Sequence, residues 1–118
     1  MSQGQGFPNR NLFKTKEKIV NEGKAFAYAK LTVTGTIQNI PLTDITKEAT
    51  MVHLYFESSV TGKAARYTYD GTNPVAATTG NVLKDDTDFF LYEMENISKF
   101  KIVQETAGTH VLHITYLK

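Results

Sequence analysis

A chain of 118 residues and 13.2 kDa supports one domain with a modest core and leaves no room for a second independent one. Thirteen Lys and Arg against twelve Asp and Glu give a formal charge of +1, which is not the basic surplus that selects nucleic acid or an anionic membrane, and zero cysteines exclude disulfides, thiol catalysis and Cys-based metal sites. No apolar run reaches the roughly 18 to 20 residues of a membrane helix, and the N-terminal MSQGQGFPNR is polar where a secretory signal is apolar, so the expectation is a chain without a membrane partner and not exported by that route.

In chain order, Gly4, Gly6, Pro8 and the Gln and Asn side chains around them cannot repay their own ordering entropy in isolation. Residues 1–13 are therefore read as an extended arm, with Phe7, Pro8, Arg10, Leu12 and Phe13 as the residues that would meet a neighbouring subunit. Residues 14–118 are read as one β domain. KAFAYAKLTVTGTIQNI, residues 24–40, alternates with Ala25, Ala27, Ala29, Leu31 and Val33 on one side, and is either one long strand or two broken near Gly35. PLTDITKEAT supplies a turn and connector. MVHLYFES then reads as the central strand, Val52, Leu54 and Phe56 inward and His53 and Tyr55 outward.

After the turn SVTG, KAARYTY places Ala65, Tyr67 and Tyr69 on one face, and a loop rich in turn formers runs to Gly80. Asp70 and Gly71 form a turn pair there, Pro74 stiffens the next stretch, and Val82 re-enters a strand, so the loop reads as a rigid connector at one end of the domain. KDDTD reads as a solvated acidic turn into a strand at 88–92, and ENIS as a short helical turn. KFKIVQE and HVLHITYL, joined by TAGT, read as a β-hairpin with Phe100 and Ile102 facing Leu112, Ile114 and Tyr116. About seven or eight short strands with no helix of three turns indicate an all-β fold, an antiparallel β-sandwich of jelly-roll or immunoglobulin-like kind.

The chemistry-bearing residues form no catalytic or metal-binding pattern. His110 and His113 point to opposite faces of a strand, and with His53 they read as ordinary polar-face histidines; KDDTD lacks the glycine and distant glutamate of a calcium loop. There is no nucleophile elbow and no complete phosphate-cradling loop. The reading is a non-enzymatic protein with no cofactor and no metal. Tyr55, Tyr67, Tyr69 and Tyr92 could make an aromatic platform for sugars, which keeps a glycan-binding module as an alternative, tested at Tyr67 or Tyr69.

ARYTYDGTNPVAATTGNVL and the C-terminal ISKFKIVQETAGTHVLHITYLK together resemble a pattern in small virion structural proteins of tailed bacteriophages. The matching positions are Arg66, Tyr67, Asp70, Gly71, Thr72, Pro74 and Gly80, then Asn96, Ile97, Phe100, Ile102, Leu112, His113 and Tyr116. KDDTDFFLYEM departs from it, standing where a shorter glycine-containing turn is expected. The resemblance implies a non-enzymatic virion component, first an auxiliary (decoration) protein on the capsid shell. Alternatives are a neck, tail or head-fibre component. It implies other virion proteins as partners, the major capsid protein above all, with a homo-oligomer or repeated copies on a lattice, assembly in the host cytoplasm and no nucleic acid.

Overall fold

A computed structural model describes residues 23–118 of the chain. The expected arm contacts Phe7, Pro8, Arg10, Leu12 and Phe13 lie outside the described residues. The described chain is mostly β: β1 (Ala25–Thr32), β2 (Gln38–Asn39), β3 (Met51–Ser58), β4 (Ala65–Thr68), β5 (Asn81–Leu83), β6 (Thr87–Tyr92), β7 (Lys101–Gln104) and β8 (His110–Leu117), with a short helix α1 (Met94–Lys99) between β6 and β7. They form two four-stranded antiparallel sheets, in the orders β1-β8-β3-β6 and β2-β7-β4-β5.

The pairing is nested. β1 pairs with β8, β2 with β7, β3 with β6 and β4 with β5, while β8 also lies against β3 and β7 against β4. Val52, Leu54 and Phe56 of β3 and Leu112, Ile114 and Tyr116 of β8 are fully buried, and they meet Ala65, Leu83, Phe100 and Ile102 from the other sheet in one core. The strict period of two in β3 and β8 puts every second side chain there, and each large one stabilises the fold by about 1.5 to 3 kcal/mol through burial. Tyr67 of β4 stacks on Phe89 of β6, centroids 4.9 Å apart, and on Phe100, which ties the two sheets together at this side of the core. Tyr116 donates its hydroxyl proton to the carbonyl of Pro41, and burial pushes its pKa up to about 12.

The stretch 24–40 is two strands. The break at Thr34 and Gly35 carries the chain from one sheet to the other, where the amide of Gln104 on β7 donates to the Thr34 carbonyl at 2.9 Å. The expected β-hairpin at the C-terminus does not form. β7 and β8 belong to different sheets, so Phe100 and Ile102 face Leu112, Ile114 and Tyr116 across the core and not along a ladder. At the start of the link from β7 the amides of Glu105 and Thr106 donate to the Ala64 carbonyl beside β4, which holds the chain to the β2-β7-β4-β5 sheet before it crosses to β8. Alternating apolar residues predict a buried face equally well for neighbours in a sheet and for opposing layers.

Candidate functional site

Two outer faces flank the core, and each carries a different one of the sequence motifs. On the β2-β7-β4-β5 sheet the outward row is Val82, Arg66 and Val103, with Thr68 and Lys101 beside it. The loop 69–80 folds back over this row. Gly71 has φ +92°, and the Asp70 side chain accepts the Thr72 amide at 3.0 Å, which holds the Asp70 carboxyl below its usual range. Thr68 donates its hydroxyl proton to the Thr72 carbonyl, and Lys101 Nζ donates to the Gly71 carbonyl at 3.1 Å and to Asn73 Oδ1 at 2.8 Å. The expected connector at one end of the domain is thus a cover over one sheet, because Arg66, Thr68 and Lys101 beneath it all find partners in the loop.

An ion pair fixes the far half of this cover. Arg66 Nε donates to Glu105 Oε1, both side chains being 12% exposed, and Arg66 also donates to the Gly80 carbonyl at 3.2 Å. The Ala77 amide reaches the same Glu105 oxygen at 3.1 Å. The Arg66 hydrogen bond holds the Glu105 carboxyl below the usual carboxylate range, with the Ala77 amide adding to it. Gly80 has φ +115°, and a Cβ there would stand 3.1 Å from the Tyr67 carbonyl and 3.3 Å from both Arg66 and Pro74. The residues of the sequence pattern Arg66, Asp70, Gly71, Thr72, Pro74 and Gly80 therefore all serve the loop's own packing. Beside the loop, Thr68, Tyr69, Asp70 and Asn81 line an open groove of about 310 Å³.

The outer face of the β1-β8-β3-β6 sheet is built differently. Register places Lys30, His113, Tyr55 and Asp88 in one row across the four strands, and Tyr28, Thr115, His53 and Phe90 in the next. Tyr92 follows beside Met51 and Leu117. Tyr28, Phe90 and Tyr92 are 59%, 41% and 46% exposed, so this is a broad aromatic surface without a cover among the described residues. The Tyr28 hydroxyl bonds Nδ1 of His113, with the two ring planes 27° apart. Nε2–H of His113 donates to Glu57, so both ring nitrogens are engaged.

Acidic groups from the turn before β6 line one end of this surface. Asp85 accepts the Ser58 amide at 2.8 Å, Asp86 accepts the Tyr55 hydroxyl at 2.8 Å, and Asp88 accepts from His53 at 2.9 Å. The hydrogen bond to Asp86, with burial second, raises the Tyr55 pKa to about 12. KDDTD is the exposed turn into a strand expected from its composition, and each of its aspartates is in addition bound by β3. Among the described residues no three His, Asp or Glu groups come together as a metal site.

The four tyrosines expected to share a platform are split. Tyr55 and Tyr92 lie on the bare outer face, whereas Tyr67 stacks in the core and Tyr69 borders the groove. Of the histidines, His53 and His113 stand on the outer face, but His110 is fully buried and corrects the polar-face expectation. Its Nδ1 accepts the Ser58 hydroxyl at 2.8 Å, its Nε2–H donates to the Thr106 carbonyl at 2.6 Å, and its ring stacks on Phe56. With His110 fully buried, that Ser–His pair is a clasp holding the end of β3 to the start of β8. The position of His110 in phase with Leu112, Ile114 and Tyr116 is the signal that marks it as inward. The chain matches no known family model, no curated protein and no solved structure.

Proposed function

We propose that the chain is a non-enzymatic structural domain that works by docking, carried in repeated copies on a tailed-phage particle as an auxiliary protein of the capsid shell. The observation that carries the docking reading is the bare aromatic and acidic face of the β1-β8-β3-β6 sheet, beside a second face that the chain covers for itself. Exposed aromatic rings over a rigid sheet supply contact area at low entropic cost. We further read the fold as a jelly roll. What supports it is the nested pairing of first strand with eighth, second with seventh, third with sixth and fourth with fifth. Jelly rolls recur in viral capsid and lectin domains, which is a likeness of fold and not of site. The virion assignment rests on the sequence resemblance alone.

The test is the protein composition of purified particles from a host that encodes this sequence. A copy number comparable to that of the major capsid protein supports a shell role. A few copies per particle moves the assignment to the neck, tail or a head fibre, and absence from the particle overturns it. The groove between Tyr69, Asp70, Thr68 and Asn81 favours one second reading, a glycan site, since an exposed ring beside a carboxylate and an amide suits sugar stacking and hydrogen bonding. That reading requires binding on a glycan panel that is lost in Tyr69→Ala.

A further inference from the structure

We infer that Tyr28 is a nucleophile activated by a Glu57–His113–Tyr28 relay on the outer face of the β1-β8-β3-β6 sheet, and that it accepts an acyl group from an uncharged activated ester. One acyl group taken up per chain is a modification and not a turnover. The inference therefore stands beside the non-enzymatic reading and depends neither on docking nor on the phage assignment.

The relay is built from three adjacent strands. Lys30 of β1 and Tyr55 of β3 are the register partners of His113 on β8, which puts Tyr28 two residues from one partner and Glu57 two residues from the other. Such diagonal neighbours lie within reach of aromatic and long side chains. The Tyr28 hydroxyl stands 2.5 Å from Nδ1 of His113, and Nε2 of the same ring stands 2.5 Å from Glu57 Oε1. A carboxylate only accepts, so Glu57 fixes the proton of the neutral ring on Nε2 and leaves Nδ1 to take the phenol proton. A hydroxyl bonded to a base that a third group orients is the arrangement that activates a weak nucleophile.

Neighbouring groups lack it. Tyr55 packs against the same imidazole, centroids 5.8 Å apart, but its hydroxyl is committed to Asp86. His53 gives Nε2 to Asp88 and lies against Phe90, which has no hydroxyl. Tyr92 is exposed to a similar degree as Tyr28, yet among the described residues no histidine bonds its hydroxyl. In the reaction, Tyr28 Oη attacks the ester carbonyl carbon while its proton passes to Nδ1 of His113. The new carbon–oxygen bond to tyrosine forms, the bond to the leaving phenol oxygen breaks, and the proton on Nδ1 departs with that oxygen. Glu57, Asp86 and Asp88 outnumber Lys30 around the relay, which selects an uncharged donor over an anionic one.

The experiment is acetylation of the full chain by p-nitrophenyl acetate, read at short times by mass spectrometry of its peptides. Tyr28 should be acetylated at least about tenfold faster than Tyr92. His113→Gln, which keeps a polar side chain but holds no base, should bring Tyr28 down to the rate of Tyr92. Glu57 is a positioning residue: Glu57→Gln should lower the Tyr28 rate part of the way and Glu57→Asp should restore it, since only a carboxylate also stabilises the imidazolium that forms. Circular dichroism checks that the variants keep the fold. The anionic donor acetyl phosphate should acetylate Tyr28 at a rate that rises with salt, as repulsion is screened. Equal rates on Tyr28 and Tyr92 in the wild-type chain overturn the inference without any variant, as does acetylation of Tyr28 that His113→Gln leaves unchanged. A rate with acetyl phosphate that falls as salt rises overturns the choice of an uncharged donor.

Discussion

On the outer face of the β2-β7-β4-β5 sheet, Arg66, Thr68 and Lys101 are all committed to the loop 69–80, whereas on the outer face of the β1-β8-β3-β6 sheet Tyr28, Phe90 and Tyr92 stand in solvent. Both faces carry charged and large apolar residues, so composition does not separate them. What separates them is whether the chain supplies its own partner. A conspicuous loop motif thus marks the face that is closed, and the bare face is marked only by scattered outward positions on four strands distant in sequence.

The largest effect expected on this contrast comes from Arg66→Ala. It leaves the nearly buried Glu105 carboxylate without its cation and releases Gly80, so thermal unfolding should fall by several degrees and residues 69–80 should become open to limited proteolysis in the native state. A double variant with Glu105→Ala should recover part of the loss, since no unpaired charge is left. Next in size is Gly80→Ala, where positive φ and the 3.1 Å approach to the Tyr67 carbonyl should together cost about 1 to 3 kcal/mol in denaturant unfolding. Gly71→Ala is the control for strain alone: φ is +92° but a Cβ there meets nothing within 4 Å, so its cost should be smaller.

Acid should open the covered face first. The folded-state pKa values of Glu105 and Asp70 are depressed, chiefly by Arg66 and by the Thr72 amide, so their contribution is present above their ordinary values of 4.5 and 3.8 and is lost as pH falls through the lowered ones. Unfolding followed from neutral pH downward should show this acid limb, and Arg66→Ala should flatten it. The smallest effect on stability should come from the bare face: Phe90→Ser and Tyr92→Ser should change unfolding free energy by no more than about 0.5 kcal/mol.

The local part of this architecture was legible in the sequence. Val52, Leu54 and Phe56 read as inward because period-two alternation needs only one strand to be seen, and the Asp70–Gly71 turn because its chemistry is contained in consecutive residues. The C-terminal strands read wrongly as a hairpin, since a short glycine-containing link and two apolar faces fit both a turn within a sheet and a passage between sheets. The burial of His110 was legible in its phase with Leu112, Ile114 and Tyr116, but its partners Ser58 and Thr106 were not, because they depend on that passage. The open face could not be assembled at all: Tyr28, His113, Tyr55 and Phe90 become neighbours only through the registers of β1, β8, β3 and β6, and those registers are set by long-range pairing.

Hydroxyl-radical footprinting of the dilute full chain, read by mass spectrometry, tests the asymmetry between the faces most directly. Tyr28, Phe90 and Tyr92 should oxidise readily, while Pro74 and Val103 stay protected. Pro74 and Val103 reacting as readily as Tyr92 would contradict it.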